Sequence, residues 1–363
     1  MGRDTGGIFF RHTGRIFSMT APHPLVTRAR SLANGLLAPH AERVDQEGVP
    51  ASHIEEIKRS GLLGVSAPRE YGGTAAPASV ARETAEILAG ACCSTWFVQT
   101  QHHTPVLTLA KSEGPVRERL LGSLARGELL SGVAYAQLRA YPRTPVRVTR
   151  DKGAWRFDGT VPWYTGWGLN DVMLLAGVTD TDEALFAFTE AREQPGLSAS
   201  EPLRLAALTA ARTVSLELDG FLLPDEAVAL RKPYAEWAAT DRAKTVNASP
   251  AVFGIAETAL ALLDDTTSAP LRARLADVRD RAYTLADHPA PEEHRTERLA
   301  LRTEAYELMR TATTAAVVAG GGRSLALTSK AQRLAREALF LLVQGQTPES
   351  RQAHLQALAA ETP

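Results

Sequence analysis

Apolar side chains in the first third of the chain recur every three or four positions. Leu25, Ala29 and Leu32 follow this spacing, which places them on one face of an amphipathic helix. The same period returns in several segments up to Leu124, and proline and glycine interrupt it. No alternating pattern of apolar and polar residues occurs before Gly127. The pattern therefore predicts an all-helical first third.

The middle third contains short apolar runs that are typical of β-strands, separated by turn-forming segments rich in aspartate, glycine and proline. Five strands are predicted, at residues 146–148, 154–157, 172–178, 185–189 and 214–218. Because no helical run lies between them, the pattern predicts an antiparallel sandwich or a small barrel.

Helical periodicity returns after Pro233 and continues toward the end of the chain. The predicted fold class is therefore α+β. It comprises an N-terminal helical domain at 19–130, a middle β domain at 131–230 and a C-terminal helical bundle at 231–363. Residues 1–18 contain three arginines and one acidic residue. We predict a disordered leader there, with a targeting signal as the alternative.

Composition narrows the class of protein. Of the 363 residues, 44% are hydrophobic and 22% are charged, which is enough apolar material for a sizeable core. Forty basic and 41 acidic residues leave a net charge of −1, so no electrostatic feature favours nucleic acid or an anionic membrane. The only cysteines, Cys92 and Cys93, are adjacent, which excludes a disulfide framework and favours a reducing compartment. We therefore predict a cytoplasmic protein that binds neither nucleic acid nor membrane.

Several local sequence phrases occur together along the chain. They are residues 61–73, 93–96, 222–224, 321–322 and 332–338. This combination, with the order of helices and strands, resembles the acyl-CoA dehydrogenase family of flavoproteins. The resemblance implies an FAD-dependent oxidoreductase of fatty acid metabolism that dehydrogenates an acyl-CoA thioester at its α and β carbons. It also implies an electron-acceptor flavoprotein as partner, and a homodimer or homotetramer packed through the C-terminal bundle.

The resemblance also assigns cofactor-binding roles. Trp163 corresponds to a tryptophan against the flavin ring, and Thr165 to a threonine at the polar edge of the ring. An indole wall and a hydroxyl group suit that chemistry. From the residues alone, however, a tryptophan in a strand more often fills a sheet core. Tyr135 and Gln137 resemble the segment that passes the pyrimidine side of the flavin.

The diphosphate end of the flavin is less well matched. Gly321, Gly322 and Arg323 offer open backbone amides and a guanidinium, which suit phosphate. The same residues also fit a helix C-cap and turn. The family's Arg-x-x-Phe-Gly phrase is absent, and Val317 and Val318 replace the glutamine that normally precedes its glycine pair.

The catalytic base is the largest departure, because removal of an α-proton requires a carboxylate. In many family members this carboxylate precedes a glycine on a late loop, but the loop here reads Gln344-Gly345. Other members place it on an earlier helix, where an ungapped match gives Lys244. Asp241, three residues earlier on nearly the same helix face, is predicted as the substitute base, and Glu349 comes second. Either residue also fits a solvated surface carboxylate.

Three functions therefore remain open: an acyl-CoA dehydrogenase, a flavin-dependent monooxygenase on the same fold, and a non-catalytic partner of an active relative. Arg139 and Arg143 either attract an anionic group such as a CoA phosphate or are solvated. His102 and His103 have no partner at metal-ligand spacing, so no metal site is predicted.

Overall fold

The computed structural model describes residues 21–143, 145–290 and 292–360, and the expected leader lies outside these ranges. The first helices are α1 Pro24–Leu32, α2 Ala38–Glu47, α3 Ala51–Ser60, α4 Ala78–Ala91, α5 Cys93–Thr100, α6 His103–Ala110 and α7 Pro115–Ala125. One turn of π-helix, Ala33–Leu37, joins α1 to α2. The apolar stripe that begins at Leu25 faces a core in which Leu37 and Ile57 are fully buried.

In the part of the chain that the structure describes, one sheet of eight strands follows. Its strands are β1 Ser131–Ala134, β2 Arg147–Asp151, β3 Ala154–Tyr164, β4 Val172–Thr179, β5 Glu183–Glu190, β6 Leu197–Ala199, β7 Val214–Pro224 and β8 Val228–Pro233. They pair in the order β6-β7-β3-β2-β4-β5-β8, and β1 also pairs with β4. All five predicted strands are present, whereas β1, β6 and β8 were not predicted.

The sheet is mixed rather than wholly antiparallel. Both β1 and β2 run parallel to β4, while the other pairs are antiparallel. The chain passes from β3 to β4 without pairing the two strands, so β4 lies beside β2. The chain reverses direction from β2 to β3 and again from β3 to β4. The neighbouring strands β2 and β4 therefore point the same way and pair in parallel.

The last part of the chain is helical. Its helices are α8 Tyr234–Thr245, α9 Pro250–Leu260, α10 Asp265–Ala286, α11 Arg295–Gly320, α12 Lys330–Val343 and α13 Pro348–Ala360. The order of helices, sheet and helices confirms the predicted α+β fold class. Within the described ranges, no helix combines the length and apolar character that a membrane span requires.

The N-terminal and C-terminal helices pack directly on each other where α4 crosses α9. A β-carbon on Gly254 would lie 2.1 Å from the carbonyl oxygen of Glu86, and one on Gly90 would lie 2.6 Å from the carbonyl oxygen of Gly254. Thr258 Oγ1 donates a hydrogen bond to the Gly90 carbonyl at 3.2 Å. Only glycine lets two helix backbones approach this closely.

A buried histidine joins the N-terminal helices to the sheet. His102, at the start of α6, is fully buried. Its Nδ1 accepts a hydrogen bond from the Ser131 amide at 3.1 Å, and its Nε2 donates to the Leu124 carbonyl at 3.1 Å. Burial, and secondarily the charge of His103, lowers the pKa of His102 to about 3. The neutral imidazole thus connects α7 to β1.

Candidate functional site

The two candidate flavin-ring residues lie at the end of β3. Trp163 is 50% exposed, whereas Trp155 on the same strand is buried. Strict alternation from Trp155 would turn Trp163 inward. The register between β3 and β7 shifts between Val161 and Tyr164, however, so that Tyr164 is buried instead. A bulge of this kind redirects side chains, and here it exposes the indole.

The segment after Trp163 is fixed by internal hydrogen bonds. Asn170 Nδ2 donates to the Tyr164 hydroxyl at 2.9 Å and to the Thr165 carbonyl at 2.8 Å. The buried Thr165 hydroxyl lies 3.1 Å from the Thr213 hydroxyl. Each hydroxyl has one proton and two lone pairs, so this contact leaves hydrogen-bonding capacity on Thr165.

Tyr135 and Gln137 lie in the turn after β1. Gln137 Nε2 donates to the Ala176 carbonyl at 2.8 Å and so ties the turn to β4. Its Oε1 is buried and has no hydrogen-bond partner within the described residues. The Tyr135 ring packs edge-on against Phe186 at 5.6 Å between centroids, and burial raises the pKa of its hydroxyl. Gln137 therefore presents an unpaired buried acceptor.

Asp241 is held by Arg139 rather than facing solvent. Arg139 Nε and Nη2 donate to the two carboxylate oxygens at 2.7 and 2.8 Å, and the side chain of Asp241 is 14% exposed. Burial alone would lower the pKa of Arg139, but the hydrogen bonds and charge of Asp241 raise it overall. Arg139, which the sequence assigned to an anionic ligand or to solvent, instead forms a two-point ion pair.

The same guanidinium faces the late loop. A β-carbon at Gly345 would lie 4.0 Å from Nη1 of Arg139. Asp241 and Gly345, which are distant in sequence, therefore meet across one arginine side chain. Gly345 occupies the loop position where many family members have a carboxylate. In this protein the Asp241 carboxylate lies on the other side of Arg139 from that position.

Helix α8 sets this geometry. Tyr234 Oη donates to the Leu138 carbonyl at 2.8 Å, and the Tyr234 ring packs on Tyr141 at 4.5 Å between centroids. Lys244 lies on the same helix, and desolvation followed by the charge of Lys111 lowers its pKa. Asp241 is thus paired with Arg139 and also interacts with the charge of Lys244, which lies near Lys111 at the C-terminal end of α6. The sequence analysis missed this positive charge because Lys111 is distant in sequence.

Glu349 lies at a different place. It lies in the first turn of α13 and accepts two hydrogen bonds from Arg295 at the start of α11, one of them at 3.0 Å. Each of the two candidate bases is therefore paired with an arginine. Asp241 lies on α8 and Glu349 lies on α13.

The glycine-rich segment forms a 3-10 turn after α11, Gly321–Leu325. Among the described residues, no neighbouring atom lies within 4 Å of the β-carbon positions of Gly321 and Gly322, so both backbones are open, and Arg323 is exposed. Large apolar side chains are exposed on this turn and the adjoining helices. They are Val318, Leu325, Leu327, Leu339 and Val343, and we call this set the apolar patch.

Residues 23–128 match the family model of the acyl-CoA dehydrogenase N-terminal domain. The mitochondrial 2-methylacyl-CoA dehydrogenase of Solanum tuberosum is 24% identical over 205 residues, 53% of this chain and 49% of that protein. The dibenzothiophene monooxygenase of Rhodococcus erythropolis is 29% identical over 161 residues, 43% of this chain and 38% of that protein. The alignments thus span half or less of these two relatives.

Solved structures match a much larger share of this chain. Butyryl-CoA dehydrogenase from Megasphaera elsdenii superposes with a TM-score of 0.79 at 17% identity, covering 94% of this chain and 100% of that chain. A glutaryl-CoA dehydrogenase from Mycobacterium smegmatis in complex with FADH2 gives 0.74 at 18% identity, covering 93% and 94%. The predicted resemblance to the acyl-CoA dehydrogenase family is confirmed: residues 23–128 match the model of that family's N-terminal domain, and the chain shares the fold of solved acyl-CoA dehydrogenases.

Proposed function

We propose that the protein is an FAD-dependent oxidoreductase that dehydrogenates an acyl-CoA thioester, with Asp241 as the base. The observation that carries this proposal is the meeting of Asp241 and the late-loop Gly345 across Arg139. It supplies a carboxylate beside a loop position where the sequence has none. Named relatives that act on acyl-CoA thioesters support the substrate class.

When bound, FAD would accept the hydride that leaves the β-carbon of the substrate. The residues at the end of β3 fit the flavin ring. Trp163 offers an exposed flat indole, while the orphaned Oε1 of Gln137 and the Thr165 hydroxyl offer hydrogen-bonding groups that match a polar ring edge. The open turn at Gly321 and Gly322 would bind the FAD diphosphate, and Arg323 would balance its negative charge.

In the proposed reaction Asp241 takes the α-proton while the β-hydride leaves the substrate. Both oxygens of Asp241 are engaged by Arg139, so that hydrogen bonding must first loosen. An anionic group or a thioester carbonyl that draws Arg139 aside would leave the carboxylate free as a proton acceptor. The positive charge of Lys111 and Lys244 favours the approach of such an anion.

A cavity among the N-terminal helices could hold the apolar part of the substrate. It has a volume of about 140 Å³, its wall includes Leu62, Val65 and Leu88, and Gln99 and His103 stand at one side. Gln99 Nε2 lies 2.8 Å from His103 Nε2. A mainly apolar wall with one polar pair suits a short acyl chain better than a charged ligand.

The apolar patch supports a proposed homodimer or homotetramer. Exposed clusters of large apolar side chains commonly mark protein interfaces, and this one adjoins the proposed diphosphate turn. A second subunit covering the patch would complete the cofactor site. Sedimentation at micromolar concentration should give a dimer or tetramer, and Leu325→Asp with Leu327→Asp should shift it toward monomer. A monomeric wild-type protein would contradict the assembly.

The base assignment is tested by anaerobic mixing of the FAD-loaded protein with acyl-CoA thioesters of graded chain length, followed by the visible absorbance of the flavin. Asp241→Asn should slow flavin reduction by roughly 100-fold or more and leave flavin content unchanged. Glu349→Gln is the matched control and should retain the wild-type rate. Loss of reduction in Glu349→Gln alone would move the base to Glu349.

The flavin-ring assignment is tested by comparing two tryptophan variants. Trp163→Ala should lower the FAD bound after gel filtration far more than Trp155→Ala, because the exposed indole contacts the ring and the buried one only packs the sheet. Equal retention in the two variants would favour a purely structural role for both residues.

A second candidate is a flavin-dependent monooxygenase, which requires no base on the late loop. The glycine at 345 and the pairing of Asp241 with Arg139 favour this function, as does the similarity to a dibenzothiophene monooxygenase. Oxygen consumption by the protein with reduced flavin, together with no flavin reduction by any acyl-CoA, would select this function. Failure to bind flavin at all would select a non-catalytic partner.

A further inference from the structure

Three potential metal ligands converge in the loop between α10 and α11. His288, Glu293 and His294 each place one ligand atom within 4.8 Å of the others. The two imidazole rings pack edge to face with centroids 4.6 Å apart. This loop lies outside the proposed flavin and thioester site, and the sequence analysis predicted no metal there.

We propose that this loop binds a divalent transition-metal ion, with Zn²⁺ as the best fit. Two imidazoles and one carboxylate form a donor set that zinc accepts, and a water would complete a tetrahedron. The nitrogen donors disfavour Ca²⁺ and Mg²⁺, which prefer oxygen ligands. The inference is independent of the proposed oxidoreductase activity.

Neighbouring polar groups orient both histidines for this role. His288 Nδ1 lies 3.3 Å from the carbonyl oxygen and 3.2 Å from the amide nitrogen of Ala290, so Ala290 offers a partner to either ring tautomer. Metal binding would select the tautomer in which Nδ1 donates to the carbonyl oxygen and Nε2 is left for the ion. His294 Nδ1 lies 3.8 Å from a carboxylate oxygen of Glu297. A second carboxylate or carbonyl that orients the imidazole is the usual arrangement around a metal-bound histidine.

Charge distribution in the loop points to Glu293 as the available carboxylate. The neighbouring acids are already paired: Asp287 accepts from Arg82 at 2.8 Å, and Glu292 lies 3.6 Å from Arg295. Glu293, by contrast, has no ion pair within the part of the chain that the structure describes. Its charge can therefore neutralise a bound cation without breaking an existing contact.

The loop is held at both ends, which limits the ordering cost of binding. Asp287 fixes its start to α4 through Arg82. Arg295, one residue beyond the loop, is fixed to α13 through Glu349. A bound ion would thus crosslink the end of α10 to the start of α11 and stabilise the bundle by mass action.

The test is a calorimetric titration of Zn²⁺ into full-length protein that has been stripped with a chelator, at pH 7.5. We expect one ion per chain and a rise in the thermal unfolding midpoint. His288→Gln and His294→Gln should each weaken binding about 10-fold or more, since even outer-shell changes cost that much. His23→Gln is the control and should bind like the wild type.

A second measurement keeps the proposal testable if a variant folds poorly. Wild-type protein loaded with Co²⁺ should show the intense visible absorption of a tetrahedral site, and the His288→Gln and His294→Gln double variant should lose it. Circular dichroism without metal should be the same for both proteins. Unchanged Zn²⁺ affinity in the double variant, or no binding by the wild type, would overturn the proposal.

Discussion

Acidification should destabilise the protein through His102, and the size of the effect follows from its surroundings. Its pKa is lowered from 6.5 to about 3, primarily because the imidazole is buried, and protonation would also disrupt the hydrogen bond that Nδ1 accepts from Ser131. The unfolded chain takes up the proton at higher pH than the folded chain. The contribution of His102 to stability is therefore complete above about pH 6.5 and is lost as the pH falls toward 3.

The magnitude comes from the difference between the two pKa values. Over the full range, a pKa of about 3 in place of 6.5 corresponds to roughly 5 kcal/mol. At pH 4.5 the unfolded histidine is fully protonated and the folded one is not, so roughly 3 kcal/mol of this contribution is already lost.

Urea unfolding at pH 7.0, 5.5 and 4.5 measures this loss. Wild-type stability should decline with falling pH, with additional losses from His103 and His354, whose pKa values are each lowered to about 4 by burial. In His102→Gln the decline between pH 7.0 and pH 4.5 should be smaller by about 2–3 kcal/mol, whatever its stability at pH 7.0. Parallel declines in the two proteins would refute the assigned role of His102.

The remaining predictions concern the helical core. Gly254→Ala should lower the free energy of unfolding by about 1–3 kcal/mol because its methyl would collide with the Glu86 carbonyl. Gly35→Ala, whose added methyl would meet no described atom within 4 Å, should be nearly neutral in the same urea titration. Arg333→Met should cost about 3–5 kcal/mol in urea unfolding, because the fully buried Glu337 would lose the guanidinium 2.7 Å away. A loss below 1 kcal/mol would mean that water or another cation replaces Arg333.

The architecture could be predicted from the sequence because helical period and strand runs are local properties. The strands that escaped prediction are short, as with the three-residue Leu197–Ala199, or polar, as with Val228–Pro233, which ends in Arg-Lys-Pro. Too few apolar positions were present in either strand to establish a period.

The candidate site was predictable only in part. Asp241 could be chosen from its spacing to Lys244, but its partner Arg139 lies 102 positions away, and no local pattern encodes such a pairing. The exposure of Trp163 was also hidden, because it depends on a register shift between β3 and β7. The loop from His288 to His294 escaped because its ligands are spaced unlike a standard zinc motif.

The glycine contact between α4 and α9 also limits how the protein can move. Two backbones in direct contact cannot slide past each other without a steric clash, so the first and last helical regions should shift together as one unit. Any opening that admits the proposed thioester substrate should therefore occur at the covalent links to the sheet, after Ala125 and near Pro233. Spectroscopic distance probes placed on α4 and α9 should report a constant separation through turnover, while a probe pair linking β5 to α9 should report change.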